Sequence, residues 1–439
     1  MTAASTTPLR IAVIGAGPSG TTLARLLRVL VAGSHTVQVT VFERETQLHD
    51  RDQGGTLDLH DDTGLAALKL AGLLDTPEFQ SMARWDGDSV TLCDKHMRQW
   101  LSVGSTQDGG WFAQGKPEID RLQLRQLLLD SLPEGTVVWG KHVSHVELLA
   151  DGTSTLRFAD GSTHPARFDL VVGADGTSSI VRPLLTPQQP FFSGIGGWNM
   201  ICPDAALYRP LMSRLVNRGS LFAFSDGKVV MGQQLGSGAI YISMWAVKPE
   251  DWMATSGFDV RDPRAVKAAL LSEFEDWAPE LRELLSSFDE SKVWPRSLSM
   301  LPKGLSWESR PGVTLLGDAA HVMCPFVGEG VNAAMGDAIG LAKAIVEVVG
   351  HEGGWTRDLL AQSIERYERD MQDRVLKAAT MSEEVMKLML FTPNAPSSTI
   401  EQYLVAVTKD DMPSFLLPVA KLFLKAFYSG FRWLLWRRS

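Results

Sequence analysis

The sequence is short of cysteine, of basic charge and of long apolar runs, and each shortage removes a class of protein. Its three cysteines, Cys93, Cys202 and Cys324, stand far apart. They form no C-x-x-C pair, no zinc spacing and no even set for a disulfide framework, so a reducing compartment and a cytoplasmic location are expected. Lys and Arg total 42 against 51 Asp and Glu, a net charge of −9. A general nucleic-acid binder would be basic, so no nucleic-acid partner is expected. No run of about 18 uninterrupted apolar residues occurs, so no spanning helix is expected. The opening residues, MTAASTTPLR, contain no apolar segment of the secretory type. No metal-ligand spacing, paired-acid arrangement, Ser/His/Asp set, repeat or low-complexity tract stands out. What remains is an ordinary globular composition, 44% hydrophobic and 21% charged over 439 residues, enough for two domains with a large core. Thirteen tryptophans are many; core and domain-interface packing accounts for most, with one or two suited to stacking on a flat ligand.

The most informative stretch is 11–20, IAVIGAGPSG. Ile11 to Ile14 form a short apolar run of the kind a buried parallel strand shows. Gly15, Gly17 and Gly20 complete G-x-G-x-x-G, with Pro18 and Ser19 inside it. The first glycine permits the turn, the second lets the backbone approach a pyrophosphate, and the third allows close helix–strand packing. A helix from Thr21 to about Val31 would then aim its N-terminus at the phosphates. A second strand, Val37–Phe42, ends at Glu43, followed by Arg44. An acid at that strand end binds a ribose hydroxyl, and it favours FAD or NAD(H) over NADP(H) at this site.

Further along, 63–74 and 118–132 read as helices. In the second, Leu124, Leu127 and Leu128 lie on one face and Arg121 and Arg125 on another. Residues 85–103 read as a hairpin, and Val137–Trp139, Val143–Leu149 and Thr155–Phe158 as strands between Asp-Gly turns. Buried-strand patterns return at 168–176 and 313–317. Residues 191–248 are β-rich, 262–286 helical, and a long helix follows Gly330. Residues 357–391 and 400–439 read as helical, the latter with kinks at Pro413 and Pro418. This order implies a discontinuous nucleotide domain with a β-domain threaded through it.

Three blocks therefore stand in series: GAGPSG (15–20), GADGTSSIVR (173–182) and GDAAHVMCPFVGEGVN (317–332). In this order and spacing the chain resembles the single-component FAD-dependent aromatic hydroxylases, the para-hydroxybenzoate hydroxylase group. GGTLDLH (54–60), IDRLQLRQLLLDSL (119–132), KPEDW (248–252) and GDAAHVMCPF (317–326) are most similar to the tetracycline-inactivating flavin monooxygenases. The resemblance covers residues 10 to about 375. It implies an α/β fold with a Rossmann-like FAD-binding domain (1–78, 105–190 and 295–352). A substrate-binding β-sheet domain (79–104 and 191–294) and a C-terminal helical region (353–439) would complete it.

The resemblance also implies roles for residues. Gly317 and Asp318 would meet the ribitol and ribose side of FAD. Pro325, Gly328, Gly330, Val331 and Asn332 would bring backbone N–H groups and a helix N-terminus to the flavin N1–C2=O edge, where charge develops on reduction. Asp175 would serve FAD and the nicotinamide cofactor, Arg121 would contact FAD with Arg125 as alternative, and Asp58 would lie near flavin and substrate. Arg51 is a candidate for gating flavin or meeting substrate. His321 reads as structural, and Glu329 as a loop residue where relatives often carry glutamine. The implied activity is NADPH- or NADH-consuming hydroxylation or epoxidation through a C4a-hydroperoxyflavin, with O2 as co-substrate; the cofactor carries the chemistry. The alternative is a flavoprotein of the same fold catalysing a non-oxygenating reaction. A halogenase would carry W-x-W-x-I-P, which GGWNMIC does not.

Two regions depart from the resemblance. The inserted sheet differs from that of the tetracycline enzymes, and Asn199, Ser220, Phe222 and Tyr241, with Pro325, are the expected substrate contacts. An electron-rich polycyclic aromatic or enolic molecule is implied, rather than tetracycline. Trp198, Phe222, Phe224, Tyr241 and Trp245 are expected on alternating faces. In the tail, 418–439, Lys421, Lys425 and Arg432 recur on one helical face. Val419, Leu422, Phe423, Ala426, Phe427 and Leu434 gather on the other, and Arg437-Arg438 follow. This fits a helix packed on the protein or a partner copy, or one docked peripherally on a membrane surface.

Overall fold

The computed structural model describes residues 7–31, 36–48, 54–85, 87, 89–103, 116–409, 412–413 and 415–436. The chain divides into two compact units. The first comprises Met1–Ala83, Ile119–Phe191 and Ser299–Ala379; the second comprises Arg84–Glu118, Phe192–Leu298 and Thr380–Ser439. The stretch 353–439 is thus shared between them, parting after Ala379.

The first unit is built on a five-stranded sheet. Its order is Val313–Leu315, Leu170–Gly173, Leu9–Ile14, Val37–Phe42 and Val137–Val138, and every pairing is parallel. The central strand is buried from Ile11 to Ile14, which is why it reads as an unbroken apolar run. Helix Pro18–Leu30 packs against helix Glu329–Val349, whose Ala333, Ala334, Met335 and Ala338 are buried. Small side chains let the two helices approach closely.

One helix begins later than its leucine pattern suggests. Residues 118–132 form a strand, Glu118–Asp120, before helix Arg121–Asp130. The strand pairs with Thr56–Asp58, and Arg121 N–H donates to Gly55 C=O at 3.1 Å. Long-range pairing overrides helical periodicity there.

The second unit holds a seven-stranded sheet. Its order is Val293–Met300, Phe191–Cys202, Ile240–Val247, Lys228–Gln234, Ser220–Ser225, Val90–Cys93 and Gln99–Val103. Strands Ser220–Ser225 and Val90–Cys93 run parallel. One face, including Trp198, Met200, Ile242 and Met244, forms a core with Leu270, Phe274, Leu281 and Leu284. These last four come from helices Pro263–Glu273 and Pro279–Ser286 and the residue that ends the first, the two pieces of the expected 262–286 helix. Helix Arg357–Met386 continues into a π-helical turn, Lys387–Phe391. Pro418 produces no kink: it opens helix Leu417–Trp436, where a missing N–H costs nothing.

Candidate functional site

The first glycine loop is set by backbone crowding. Gly15 has φ +108°, and a Cβ there would stand 2.4 Å from Ala174 O. A Cβ on Gly20 would lie 2.2 Å from Gly15 O. Gly17 is the opposite case: nothing lies within 4 Å of where its Cβ would be. It is the N-cap of helix Pro18–Leu30, with no side-chain cap. The loop is therefore closed inward and open outward, with first-turn N–H groups free of helical partners.

Two buried charged residues hold this loop. Ala16 N–H donates to Glu43 Oε2 at 2.8 Å, and Arg125 Nε donates to Ala16 C=O at 2.8 Å. Arg125 Nη1 also reaches Glu45 Oε2 at 2.7 Å, Nη2 lies 3.4 Å from Glu43 Oε2, and Glu45 N–H donates to Glu43 Oε1 at 3.0 Å. Arg125 is 1% exposed. From the sequence, Glu43 is expected at a ribose and Arg125 as the alternative FAD contact. In the structure both also grip the loop's one non-glycine residue before Pro18, each by one of its backbone groups. Arg44, beside them, is exposed.

The second loop is set by φ and by charge. Gly317 has φ 61° and ψ −145°, a region open essentially to glycine alone. A Cβ on it would touch Ser19 of the first loop and Ala334 of helix Glu329–Val349, so it brings the two glycine blocks together. Gly317 N–H donates to Asp337 Oδ2 at 2.9 Å, His321 Nε2 lies 2.6 Å from the same oxygen, and Arg374 pairs with Oδ1. Burial works against an imidazolium at His321, but the charge and hydrogen bond of Asp337 outweigh it and hold His321 above its ordinary range. Burial likewise opposes ionisation of Asp337, and His321, Arg374 and Gly317 N–H outweigh it, leaving the carboxyl low. His321 and the Gly317 N–H thus share one oxygen of the buried Asp337 carboxylate. Asp318 is exposed, close enough to Arg121 for their charges to interact.

Beyond it, exposed Pro325 starts the turn Pro325–Val327, and Gly328 (φ 73°) is the N-cap of helix Glu329–Val349, without a side-chain cap. Gly330 has open space where a Cβ would stand, and Val331 is half-buried. Asn332 is a brace. Its Nδ2 donates to Asp58 C=O at 2.8 Å and its Oδ1 accepts from His60 N–H at 2.9 Å. Its side chain is thereby turned to the Asp58–His60 backbone. This brace places His60 between two carboxylates: Nε2 lies 3.0 Å from Asp58 Oδ2, and Nδ1 3.5 Å from Glu329 Oε1. Sequence reasoning singles out no role for His60, although it ends the GGTLDLH block.

The third block shapes its own turn. Asp175 Oδ2 accepts from Ile180 N–H at 2.8 Å, and its buried Oδ1 has no partner among the described residues. Burial pushes this carboxyl up. Arg182, fully buried, ties the turn to the second loop through Thr177 C=O (2.6 Å) and Ala319 C=O (3.0 Å). Arg51 lies outside the described residues.

In the second unit, strand register places the expected substrate residues together. Asn199 is opposite Ser243, Tyr241 opposite Gln233, Gln233 opposite Ser220, and Phe222 opposite Met231, which is opposite Ser243. Asn199, Ser220, Phe222 and Tyr241 therefore share one face, the one turned from the Trp198 core. Asn199 Oδ1 accepts from Ser243 Oγ at 2.9 Å. The five aromatic residues do not alternate as expected. Phe222, Phe224, Tyr241 and Trp245 lie on one face, and Trp198 alone on the other, where Nε1 donates to Val260 C=O at 2.9 Å. Phe224 is covered by Tyr403, with ring centroids 6.3 Å apart, so the accessible end of the face is that of Asn199, Phe222 and Tyr241.

In the first unit, two uncapped helix N-termini, open backbone at Gly17 and Gly330, and exposed Asp318 beside Arg121 fit a long cofactor with an anionic centre and an electron-poor ring. The fold and these loops define a class. The family described as the FAD binding domain matches residues 9–382, and the chain belongs to it, among the para-hydroxybenzoate hydroxylase-like FAD-dependent monooxygenases. The chain is 30% identical over 420 residues to monooxygenase penA of Penicillium thymicola, covering 86% of this chain and 94% of that protein. The structure of Klebsiella pneumoniae HpxO complexed with FAD and uric acid matches with TM-score 0.70 at 21% identity, over 95% of this chain and 96% of that one. Tetracycline destructase Tet(51) matches with TM-score 0.65 at 18% identity, over 95% and 98%. These two likenesses carry the fold, α/β with an FAD-binding domain.

Proposed function

We propose that this enzyme uses NADPH or NADH and O2 to hydroxylate or epoxidise an electron-rich, polycyclic aromatic or enolic small molecule. The observation that carries the substrate class is the shared sheet face of Asn199, Phe222 and Tyr241, which offers flat apolar surface edged by hydrogen-bonding groups. A planar polycycle with ring oxygens matches such a face. FAD, when bound, would supply the redox chemistry, with two electrons from the nicotinamide reducing O2 so that one oxygen atom enters the substrate and the other leaves as water. The chain's residues position it. The first-turn N–H groups after Gly17 would hold the pyrophosphate, Asp318 and Arg121 the ribityl side, and the N–H groups of Gly330 to Asn332 the flavin edge. Glu43 would take a ribose hydroxyl with the acceptor capacity left on its carboxylate. Residues 418–439 would add a peripheral membrane contact, since the apolar arc of the tail helix faces water.

The test is nicotinamide consumption by the purified flavoprotein against a panel of polycyclic phenols and enols, with product masses read in the same tubes. Substrate-stimulated consumption with a product heavier by one oxygen is expected. A product of unchanged oxygen content, formed without O2 uptake, would favour a non-oxygenating flavoenzyme.

A further inference from the structure

We propose that His60 is a positioning residue for the flavin: held as an imidazolium between Asp58 and Glu329, it fixes those two carboxylates at the start of helix Glu329–Val349 and offsets their charge there. This rests on the reading that the N–H groups of Gly330 to Asn332 receive the flavin edge.

The backbone leaves His60 little freedom. Its N–H donates to Asn332 Oδ1 at 2.9 Å, and its C=O accepts from Leu65 N–H at 2.9 Å. Leu59 beside it is fully buried. Asn332 also holds Asp58 C=O at 2.8 Å, so one side chain of the helix grips the chain on both sides of Leu59. Gly64 makes room for this grip, since a Cβ there would stand 2.6 Å from Asn332 Oδ1.

The imidazole then meets acid at both nitrogens. Nε2 lies 3.0 Å from Asp58 Oδ2 and Nδ1 lies 3.5 Å from Glu329 Oε1. A carboxylate only accepts, so both nitrogens are asked to donate, and only the imidazolium carries hydrogen on both. The ring is 14% exposed, so these charges act through little water.

Both acids border the helix N-terminus. Glu329 is its first residue, and Asp58 Oδ1 would stand 2.9 Å from a Cβ on Gly328, the N-cap. Carboxylates at this end draw on the positive end of the helix dipole. Negative charge developing at the flavin edge on reduction would draw on the same end. Two unbalanced carboxylates would oppose that charge. His60 cancels one of the two and ties both to a single ring.

The experiment is a spectroelectrochemical titration of the flavoprotein and its variants, beside ¹⁵N NMR of the histidine-labelled, oxidised protein at pH 7. Both nitrogens of His60 should give protonated shifts, assigned by their loss in His60→Gln. His60→Gln removes a positive charge and should move the reduction equilibrium of the bound flavin toward the oxidised form roughly tenfold, about 30 mV for a two-electron couple. Glu329→Gln removes a negative charge and should move it about as far the other way. The double variant should return close to the wild type. Should His60→Gln fail to retain flavin, Glu329→Gln alone must still raise the potential. A His60 ring protonated on one nitrogen only would overturn the proposal wherever the flavin lies. Shifts of the same sign in both single variants would mean that His60 acts by shape, and would overturn it too. An imidazolium with unmoved potentials would overturn it together with the placement of the flavin edge, while oxygenation, read from product mass, would stand.

Discussion

The two glycine loops of the first unit meet the same demand by different means. In the loop at 15–20, glycine is required by contact: a Cβ at Gly15 or Gly20 would run into backbone oxygen at 2.4 or 2.2 Å. In the loop at 317–330, a Cβ at Gly317 meets only side-chain atoms at 3.1 Å or more, and the constraint is its φ of 61° together with the Asp337 carboxylate on its N–H. The first loop is held by sterics and clamped by Arg125. The second is held by a buried His–Asp–Arg cluster. A loop fixed by contact fails when an atom is added; a loop fixed by charge fails when a proton is moved.

That contrast can be broken at its strongest point first. Gly15→Ala should leave protein without bound flavin, because the added carbon and Ala174 O cannot both keep their places. Flavin absorbance after purification and a thermal melt would read it; a yellow, normally stable variant would remove steric closure as the explanation. Arg125→Met should cost about 3–5 kcal/mol in urea unfolding, because Glu43 and Glu45 would be left buried without their cation. Adding Glu45→Gln should recover part of that loss, and its failure to do so would show that packing, not charge, is at stake.

The second loop should respond to pH. His321 titrates above its ordinary 6.5, so its contribution is complete below about pH 6.5 and is lost as pH rises through the raised value. Asp337 titrates below 3.8, so its contribution is present above that and is lost as pH falls through the lowered value. The wild type should therefore exceed His321→Gln by about 1–2 kcal/mol between those limits, and the gap should narrow at alkaline pH. A pH-independent difference would mean the histidine acts by shape. The smallest effect on stability belongs to Gly17→Ala, within about 0.5 kcal/mol, since φ is −75° and no atom is near. FAD affinity should nevertheless fall, measured by fluorescence titration of the apoprotein; unchanged affinity would place the pyrophosphate elsewhere.

The glycine loops could be read in the sequence because their constraints are local. Gly15, Gly17 and Gly20 follow a buried strand and open a helix, and no other residue type does that work as well. Their clamps could not be read. Arg125 stands 109 positions from Ala16, and Arg374 stands 37 from Asp337. Both lie on helices whose surface periodicity makes them look like solvated charges. The same limit hid His60, whose setting between Asp58 and Glu329 depends on Asn332, 272 positions away, binding its backbone. Alternation within a strand says nothing of how strands are aligned, and it is register that puts Phe222, Phe224, Tyr241 and Trp245 on one face.

By itself, the sequence determined the family, the parallel-strand runs, the places where glycine is required and the amphipathic arc of the tail. Each is a matter of residue type at short spacing, governed by φ/ψ sterics and by periods of two or 3.6. Only the tertiary structure decided which buried charges meet, which side chains share the substrate face and which side of helix Leu417–Trp436 is left in water. Those depend on chain topology and on the high cost of an unpaired buried charge, which selects partners by proximity in space rather than along the chain.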